Sequence, residues 1–227
     1  MKIIIYITSL LFMSTISQGG ITAQTNMRIP LQQGYNNNPS VRIDDITIDP
    51  VNLFIRSEPW DGRNLSLQLE MKVIDQAKEY TTFLGYYEEN DDQLRNNYPK
   101  AIGKYLFDLD IRDNGVDLLI NTLKYGDEFV TDLKIEDSII IEDFVITYEF
   151  GSSENLISPD HNYTGYDIRH MFRVSDGKDK GTIEFEYVNN RGIIENNGTK
   201  EWNGFKIEIL DDFREPLKLR VTKYEKE

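Results

Sequence analysis

The chain has 227 residues, 39% of them hydrophobic, and carries 25 basic and 39 acidic side chains, for a net charge of −14 at pH 7. It has two histidines and no cysteine, which excludes disulfides, thiolate metal sites and cysteine nucleophiles. The acidic balance argues against nucleic acid as a partner, because phosphate binding needs exposed basic groups.

The N-terminal segment has the order of a secretory signal peptide. Lys2 supplies the positive start, residues 3–13 form an apolar run, and small and polar residues lead to Ala23. The run is shorter than the roughly 20 residues that a membrane-spanning helix needs. The sequence therefore predicts a signal peptide over residues 1–23 and a secreted or periplasmic protein with no transmembrane span after cleavage. A buried N-terminal strand is the alternative.

The next segment, residues 24–40, is polar and contains Pro30, Gly34 and Pro39. Prolines and glycines at such density are typical of irregular chain, and the segment is predicted to be a flexible leader. Residues 41–227 are predicted to form a single β-rich domain, with a subdivision near Gly151 as the alternative.

Six segments alternate apolar and polar residues with a period of two, the pattern of a strand with one face on the core. They lie at residues 65–73, 105–111, 144–150, 183–187, 205–209 and 217–221, and weaker candidates lie at 41–48, 51–55, 80–86 and 129–135. Short strands between Gly, Asn and Asp turns predict a mainly β fold, an antiparallel β-sandwich or a barrel-like two-sheet fold. The last two of the six segments are predicted to pair as a C-terminal hairpin.

One or two short helices are predicted within this β fold. Apolar residues recur at helical spacing from Val116 to Leu123, polar residues at 113–114 can cap the start, and Gly126 stands at the end. Residues 91–97 are predicted to form the second helix.

Acidic residues cluster between Asp108 and Gly115. Carboxylate oxygens suit calcium, so the candidate ligands for Ca²⁺ are Asp108, Asp110 and Asp113. The spacing departs from that of an EF-hand loop, because Arg112 stands where an oxygen ligand is required. The alternative interpretation is a strand with outward aspartates that ends in a turn.

Residues 151–170 show weak periodicity and are predicted to form a long irregular segment. Both histidines, His161 and His170, lie there. Their spacing of nine residues matches neither one face of a strand nor one turn of a helix, so ordinary surface histidines are predicted. The chain has no G-x-S-x-G elbow and no phosphate-binding glycine loop.

Four aromatic residues are the candidate binding residues. Trp60 and Trp202 lie in turn-forming settings, and Tyr86 and Tyr87 precede an acidic run. Exposed loop aromatics on a β scaffold can stack on sugars or anchor a protein. The alternative for the two tryptophans is that they fold back onto the core.

The sequence thus favours an exported, non-catalytic domain that binds a protein or polysaccharide partner at the cell envelope or exterior through loops at one end. The alternative is a secreted hydrolase. That hydrolase would be a carboxylate-type glycosidase, with two acids facing a sugar, or a metal-assisted enzyme that uses His161 and His170.

Overall fold

The computed structural model describes residues 26–57, 65–75, 78–87, 99–112, 115–157, 164–190, 193–211, 213 and 216–224. These residues form β-strands and contain no helix. The strands in chain order are β1 (Asn26–Leu31), β2 (Gly34–Tyr35), β3 (Val41–Ile43), β4 (Ile46–Ser57), β5 (Leu65–Asp75), β6 (Lys78–Tyr87), β7 (Lys100–Ile102), β8 (Tyr105–Arg112), β9 (Gly115–Thr122), β10 (Glu128–Thr131), β11 (Ser138–Ile141), β12 (Phe144–Ile157), β13 (Thr164–Ser175), β14 (Lys180–Asn190), β15 (Ile193–Asn196), β16 (Thr199–Trp202), β17 (Phe205–Ile209) and β18 (Leu217–Lys223).

The strands form three sheets in which antiparallel pairing dominates. Sheet A has the strand order β1-β9-β8-β7-β10-β18-β17-β16, sheet B has β2-β4-β5-β6 with β3 also paired to β4, and sheet C has β11-β12-β13-β14-β15. The two halves of sheet A meet where β7 and β10 pair in parallel through Lys100 and Val130. The prediction of a mainly β protein with antiparallel sheets is confirmed.

The alternation predicted for residues 65–73 is present in β5. Its inward side chains from Leu67 to Val73 at every second position are fully buried, whereas Gln68 between them is exposed. Full burial of one such apolar side chain contributes roughly 1.5–3 kcal/mol. The burial of one face explains why a period of two could be detected in the sequence.

The hydrophobic core is divided into two clusters on opposite faces of sheet A. Successive residues of a strand point to opposite faces. In β7, Ile102 belongs to the cluster shared with sheet B, and its neighbour Ala101 belongs to the cluster shared with sheet C. In β8, Tyr105 and Leu106 divide in the same way. The cluster shared with sheet B thus draws on β1, β7, β8 and β9 of sheet A, and the cluster shared with sheet C draws on β7, β8, β10, β17 and β18.

The helix predicted between Val116 and Leu123 is wrong, because residues 115–122 form strand β9. Val116, Leu118 and Ile120 are buried in the cluster shared with sheet B, so the run also satisfies a period of two. Gly126 adopts a positive φ of 88° in the turn that follows. The apolar run is compatible with both periods, and pairing with β8 and β1 decides in favour of the strand.

The prediction of irregular chain is wrong for part of the leader, since residues 26–31 form β1 at the edge of sheet A. Ile29 is buried, and Pro30 lies opposite Asp117 of β9. Proline is tolerated on an edge strand, where its missing N–H faces away from the sheet. The proline that indicated irregular chain therefore marks a sheet edge.

Residues 151–170 were predicted to be irregular, but their described parts lie in the long hairpin of β12 and β13. The register shifts between Tyr148 and Phe150, which indicates a β-bulge. Tyr148 is buried and Phe150 is 47% exposed, so the shift moves the apolar residues of β12 to the other face. This change of phase explains the weak periodicity of the segment.

The predicted C-terminal hairpin is confirmed by the antiparallel pairing of β17 and β18. Glu208 and Arg220 lie opposite each other, with 3.6 Å between Oε2 and Nη1. The predicted signal peptide and the second predicted helix lie outside the described residues. In the described part of the chain, no helix has the length and apolar character needed to cross a lipid bilayer.

Candidate functional site

The outward faces of sheets A and C carry charges that pair with one another. Arg28 and Arg112 both bond to Asp117 on sheet A, and Arg220 bonds to Glu128 in the other half of that sheet. On sheet C, Arg173 lies 2.9 Å from Glu149. These faces are typical of solvated sheet surfaces whose charges satisfy each other.

The outward face of sheet B has a different composition. It presents exposed aromatic rings together with polar side chains. We call this set the binding face; its members are Tyr35, Asn52, Phe54, Gln68, Glu70 and Phe83. Tyr35 is 67% exposed, Phe54 is 52% exposed and Phe83 is 47% exposed. Exposed aromatic residues of this kind are enriched where proteins bind partners.

Strand register places these residues side by side. One row across the sheet runs from Tyr35 through Asn52 and Glu70 to Phe83. The next row, in the direction in which β4 runs, contains Phe54, Gln68 and Gly85. Directly paired residues of neighbouring strands share a face, so all members of the binding face point outward. Gly85 adds no side chain, which leaves the surface beside Gln68 open.

The spacing of the aromatic rings follows from sheet geometry. Phe54 and Phe83 are separated by one intervening strand and one row. Strands lie roughly 4.8 Å apart and residues of one face repeat every ~6.7 Å, so the two side chains start about 12 Å apart. Polar groups of β5 occupy the space between the two rings. The binding face is thus a set of separated rings and does not form a continuous apolar patch.

The polar side chains of the binding face have no partner among the residues that the structure describes. Within the described part of the chain, Asn52, Gln68 and Glu70 form no side-chain hydrogen bond or ion pair. Their amide and carboxylate groups are therefore available to an external ligand.

A second candidate is a small cleft, partly open to solvent, where residues of the three sheets meet. We call it the seam cleft. It is lined by residues of β6, β7, β10 and β11 and of the connection before β11. The cleft also contains the junction of sheets A and C, where the Ile140 N–H donates to the Gly103 carbonyl at 2.9 Å.

The charged groups of the seam cleft largely satisfy one another. Lys100 Nζ lies 2.7 Å from Asp132, and Lys78 Nζ lies 2.9 Å from the buried Asp137. The Tyr80 hydroxyl also donates to Asp137, at 3.2 Å. Burial, together with the negative charge of Asp137, raises the pKa of Tyr80 above its usual range. These contacts connect sheet B to the region between sheets A and C.

His170 is buried, with 4% of its surface exposed, so the prediction of a surface histidine is wrong for this residue. Its Nε2 lies 3.2 Å from the Phe213 carbonyl and its Nδ1 lies 3.1 Å from the Tyr148 hydroxyl. In the neutral ring, Nε2–H donates to the carbonyl and Nδ1 accepts from the hydroxyl. His161, the other histidine considered for a metal-assisted enzyme, lies outside the described residues.

The four predicted binding residues have different placements. Trp202 is half-buried and packs on Phe144 and Phe205, with ring centroids 5.8 and 6.4 Å away. This placement favours the interpretation that it covers the core. Trp60 lies outside the described residues, and Tyr86 and Tyr87 belong to the end of β6. A binding role for these four residues stays a prediction.

The candidate calcium ligands Asp108 and Asp110 lie two residues apart on β8. Asp110 forms ion pairs with Arg28 and Arg112, while Asp108 accepts a hydrogen bond from the backbone of Leu109 at 2.8 Å. Burial raises the pKa of Asp108. Asp113 lies outside the described residues, among which no group of three or more acidic or histidine side chains could hold a metal ion. Calcium binding stays a prediction.

Sequence reasoning missed the members of the binding face, although a signal was present. Phe54 lies out of phase with the buried Val51 and Leu53, and Phe83 lies between the buried Thr82 and Leu84. A large aromatic residue at a solvent-facing position of an alternating strand indicates that the fold leaves its ring exposed. This signal depends on knowing which phase is buried.

We compared the chain with protein-family models, with curated proteins and with solved structures, and found no match in any of the three.

Proposed function

We propose that the protein is an exported, non-catalytic binding module that holds its partner on the binding face of sheet B. The proposed scaffold is a pair of β-sandwiches that share sheet A, with sheet B packed on one face and sheet C on the other. The sequence pointed to loops at one end of the domain as the contact surface. The structure favours a sheet face.

One observation carries this proposal. The binding face combines three exposed aromatic rings with polar side chains that have no partner in the described ranges of the chain, whereas the other outward faces described above carry charges that are paired. Exposed aromatic surface costs solubility and gains nothing in the isolated protein. A partner that covers the rings explains why they are placed outside.

A sedimentation assay tests the proposal. The purified protein is mixed with isolated envelopes of the cell that exports it, and the fraction that sediments is measured. We expect the double variant Phe54→Ala/Phe83→Ala to bind at least about tenfold more weakly, because each exposed ring removed from a contact costs of the order of 1 kcal/mol.

Phe150→Ala is the matched control. Phe150 is as exposed as Phe83 but lies on sheet C. We expect this variant to bind like the wild type, and thermal unfolding checks that each variant is folded. Equal binding by the double variant and the wild type would contradict the proposal.

A further inference from the structure

The polar groups of the binding face match the chemistry of sugar hydroxyls. Asn52 and Gln68 each offer an amide that donates and accepts, and Glu70 offers a carboxylate that accepts. A hydroxyl group also donates and accepts, so it can bond to any of the three. In strand register these side chains lie between the aromatic rings, and they would therefore be within reach of a ligand that covers those rings.

The separation of the rings matches a linear polymer better than a protein partner. Protein contacts concentrate their energy in a continuous, fully desolvated centre. Here Phe54 and Phe83 start about 12 Å apart, by sheet geometry, with polar groups between them. A polysaccharide places the C–H face of one sugar ring on each aromatic ring and its hydroxyl groups on the polar residues between them.

Charge further restricts the class of ligand. Glu70 is the charged member of the binding face, and Lys72, on the same face of β5, lies 3.2 Å from Glu79. The basic residue Arg42 of β3 lies opposite Thr47 in strand register. Thr47 is at the far end of β4, seven residues before Phe54. The net charge of −14 adds a general repulsion of polyanions. An uncharged polymer meets none of this repulsion.

We propose that the binding face takes an extended, uncharged polysaccharide, with sugar rings stacked on Phe54 and Phe83 and hydroxyl groups bonded to Asn52, Gln68 and Glu70. The proposal rests on the proposed function and names the partner of the same site. The chain of sugars crosses the strands of sheet B diagonally from β4 to β6. Tyr35, at the end of the row that contains Asn52, extends the contact beyond β4.

Native gel electrophoresis with soluble polymers in the gel tests this proposal, because the acidic protein migrates readily and a bound polymer slows it. The uncharged probes are hydroxyethyl cellulose, dextran, a galactomannan and a xylan. Carboxymethyl cellulose provides the same backbone with negative charge.

We expect at least one uncharged polymer to slow the wild type. Phe54→Ala and Phe83→Ala should each raise the dissociation constant about fivefold or more, and Phe150→Ala should change it less than about twofold. Glu70→Gln keeps the hydrogen-bonding shape and removes the charge. It should retain binding of the uncharged polymer and improve binding of carboxymethyl cellulose.

Three results would overturn the proposal: no uncharged polymer slows the protein, carboxymethyl cellulose binds more tightly than hydroxyethyl cellulose, or Phe150→Ala weakens binding as much as Phe83→Ala.

If binding to envelopes still depends on Phe54 and Phe83 and is lost after protease treatment of the envelopes, the partner is a protein and the proposed function stands. If those variants instead abolish self-association measured by sedimentation velocity, the partner is a second copy of this chain. If the variants change neither polymer binding nor envelope binding, the proposed function fails as well.

Discussion

Among the glycines in the described part of the chain, Gly151 has the least space for a side chain. A methyl group added there would overlap the Tyr148 hydroxyl and lie 2.9 Å from Cζ, the ring carbon bonded to that hydroxyl. The same hydroxyl bonds to Nδ1 of the buried His170. Glycine at this position therefore lets β12 and β13 close over the Tyr148–His170 pair.

We expect Gly151→Ala to lower the free energy of unfolding by about 1–3 kcal/mol, the usual cost of overpacking a core. Chemical denaturation measures this change. Gly85→Ala is the control, because its added methyl group meets only an ordinary contact, 3.9 Å from the Leu67 carbonyl.

A double variant tests the mechanism of this effect. Tyr148→Phe removes the overlapping oxygen, so Tyr148→Phe/Gly151→Ala should be less destabilised than the sum of the two single variants. Strict additivity would show that the cost of Gly151→Ala arises elsewhere.

At the scale of elements, β1 is held at the edge of sheet A by an ionic cluster. Asp117 of β9 is buried and bonds to Arg112 of β8 and to Arg28 of β1, with the second contact at 2.9 Å. Hydrogen bonds from these two arginines, that of Arg112 above all, lower the pKa of Asp117 below its ordinary 3.8. The cluster therefore connects the N-terminal strand to two others.

The sign of the pH dependence follows from this lowered pKa. The contribution of Asp117 to stability is complete above about pH 3.8, where the carboxylate is charged in the unfolded chain too, and is lost as the pH falls through the lower pKa of the folded protein. We expect Asp117→Asn to lower the free energy of unfolding by about 1–2 kcal/mol at pH 7, and by progressively less below pH 3.8. Denaturant unfolding across this range measures the difference.

Asp108→Asn is the matched control for Asp117→Asn, since Asp108 lies on the same outward face of sheet A and burial raises its pKa. Its charge works against folding at neutral pH, so the variant should be as stable as the wild type or more stable. A constant deficit for Asp117→Asn at every pH would show that packing, and not charge, accounts for the effect.

Strands were predictable from sequence where one face is wet and the other dry, as in β5, β14, β17 and β18. The prediction failed for β9 because its apolar run satisfies both a period of two and helical spacing. It also failed for β1, where Pro30 indicated irregular chain although the strand lies at an edge. In β12 the register shift after Tyr148 breaks the pattern, and no local signal marks such a shift.

The binding face illustrates a further limit of sequence reasoning. Phe54 and Phe83 are 29 positions apart in the chain and become neighbours only through the pairing of β4, β5 and β6. Strand pairing is decided by the whole fold, so residues that share a sheet face cannot be grouped from the sequence alone. The aromatic residues singled out from the sequence were those in apparent turns.

At the scale of the whole molecule, β7 and β8 contribute residues to both core clusters. Ala101 and Leu106 pack with sheet C, while Ile102 and Tyr105 pack with sheet B. Both core clusters contain residues of the same short strands, so one cluster cannot unfold without exposing part of the other. We therefore expect the described part of the chain to unfold in one cooperative transition.

Cavity-forming variants in each cluster test this expectation. Leu69→Ala in the sheet B cluster and Leu219→Ala in the sheet C cluster should each shift the whole transition, by about 2–5 kcal/mol. Far-UV circular dichroism reports all strands. In a Trp60→Phe background, fluorescence reports Trp202 alone, because the chain has two tryptophans. Separate midpoints for the two signals would contradict a single transition.

The alternation of β7 and β8 between two interiors restricts how this chain can change length. An insertion of one residue before Tyr105 would exchange the faces of every following residue in β8. Tyr105 and Phe107 would enter the interior built for Leu106, and Leu106 would enter theirs. In an ordinary two-layer protein, such a length change places the wrong side chains in one core. Here it would do so in two cores at once, so we expect β7 and β8 to be the segments least tolerant of insertions and deletions.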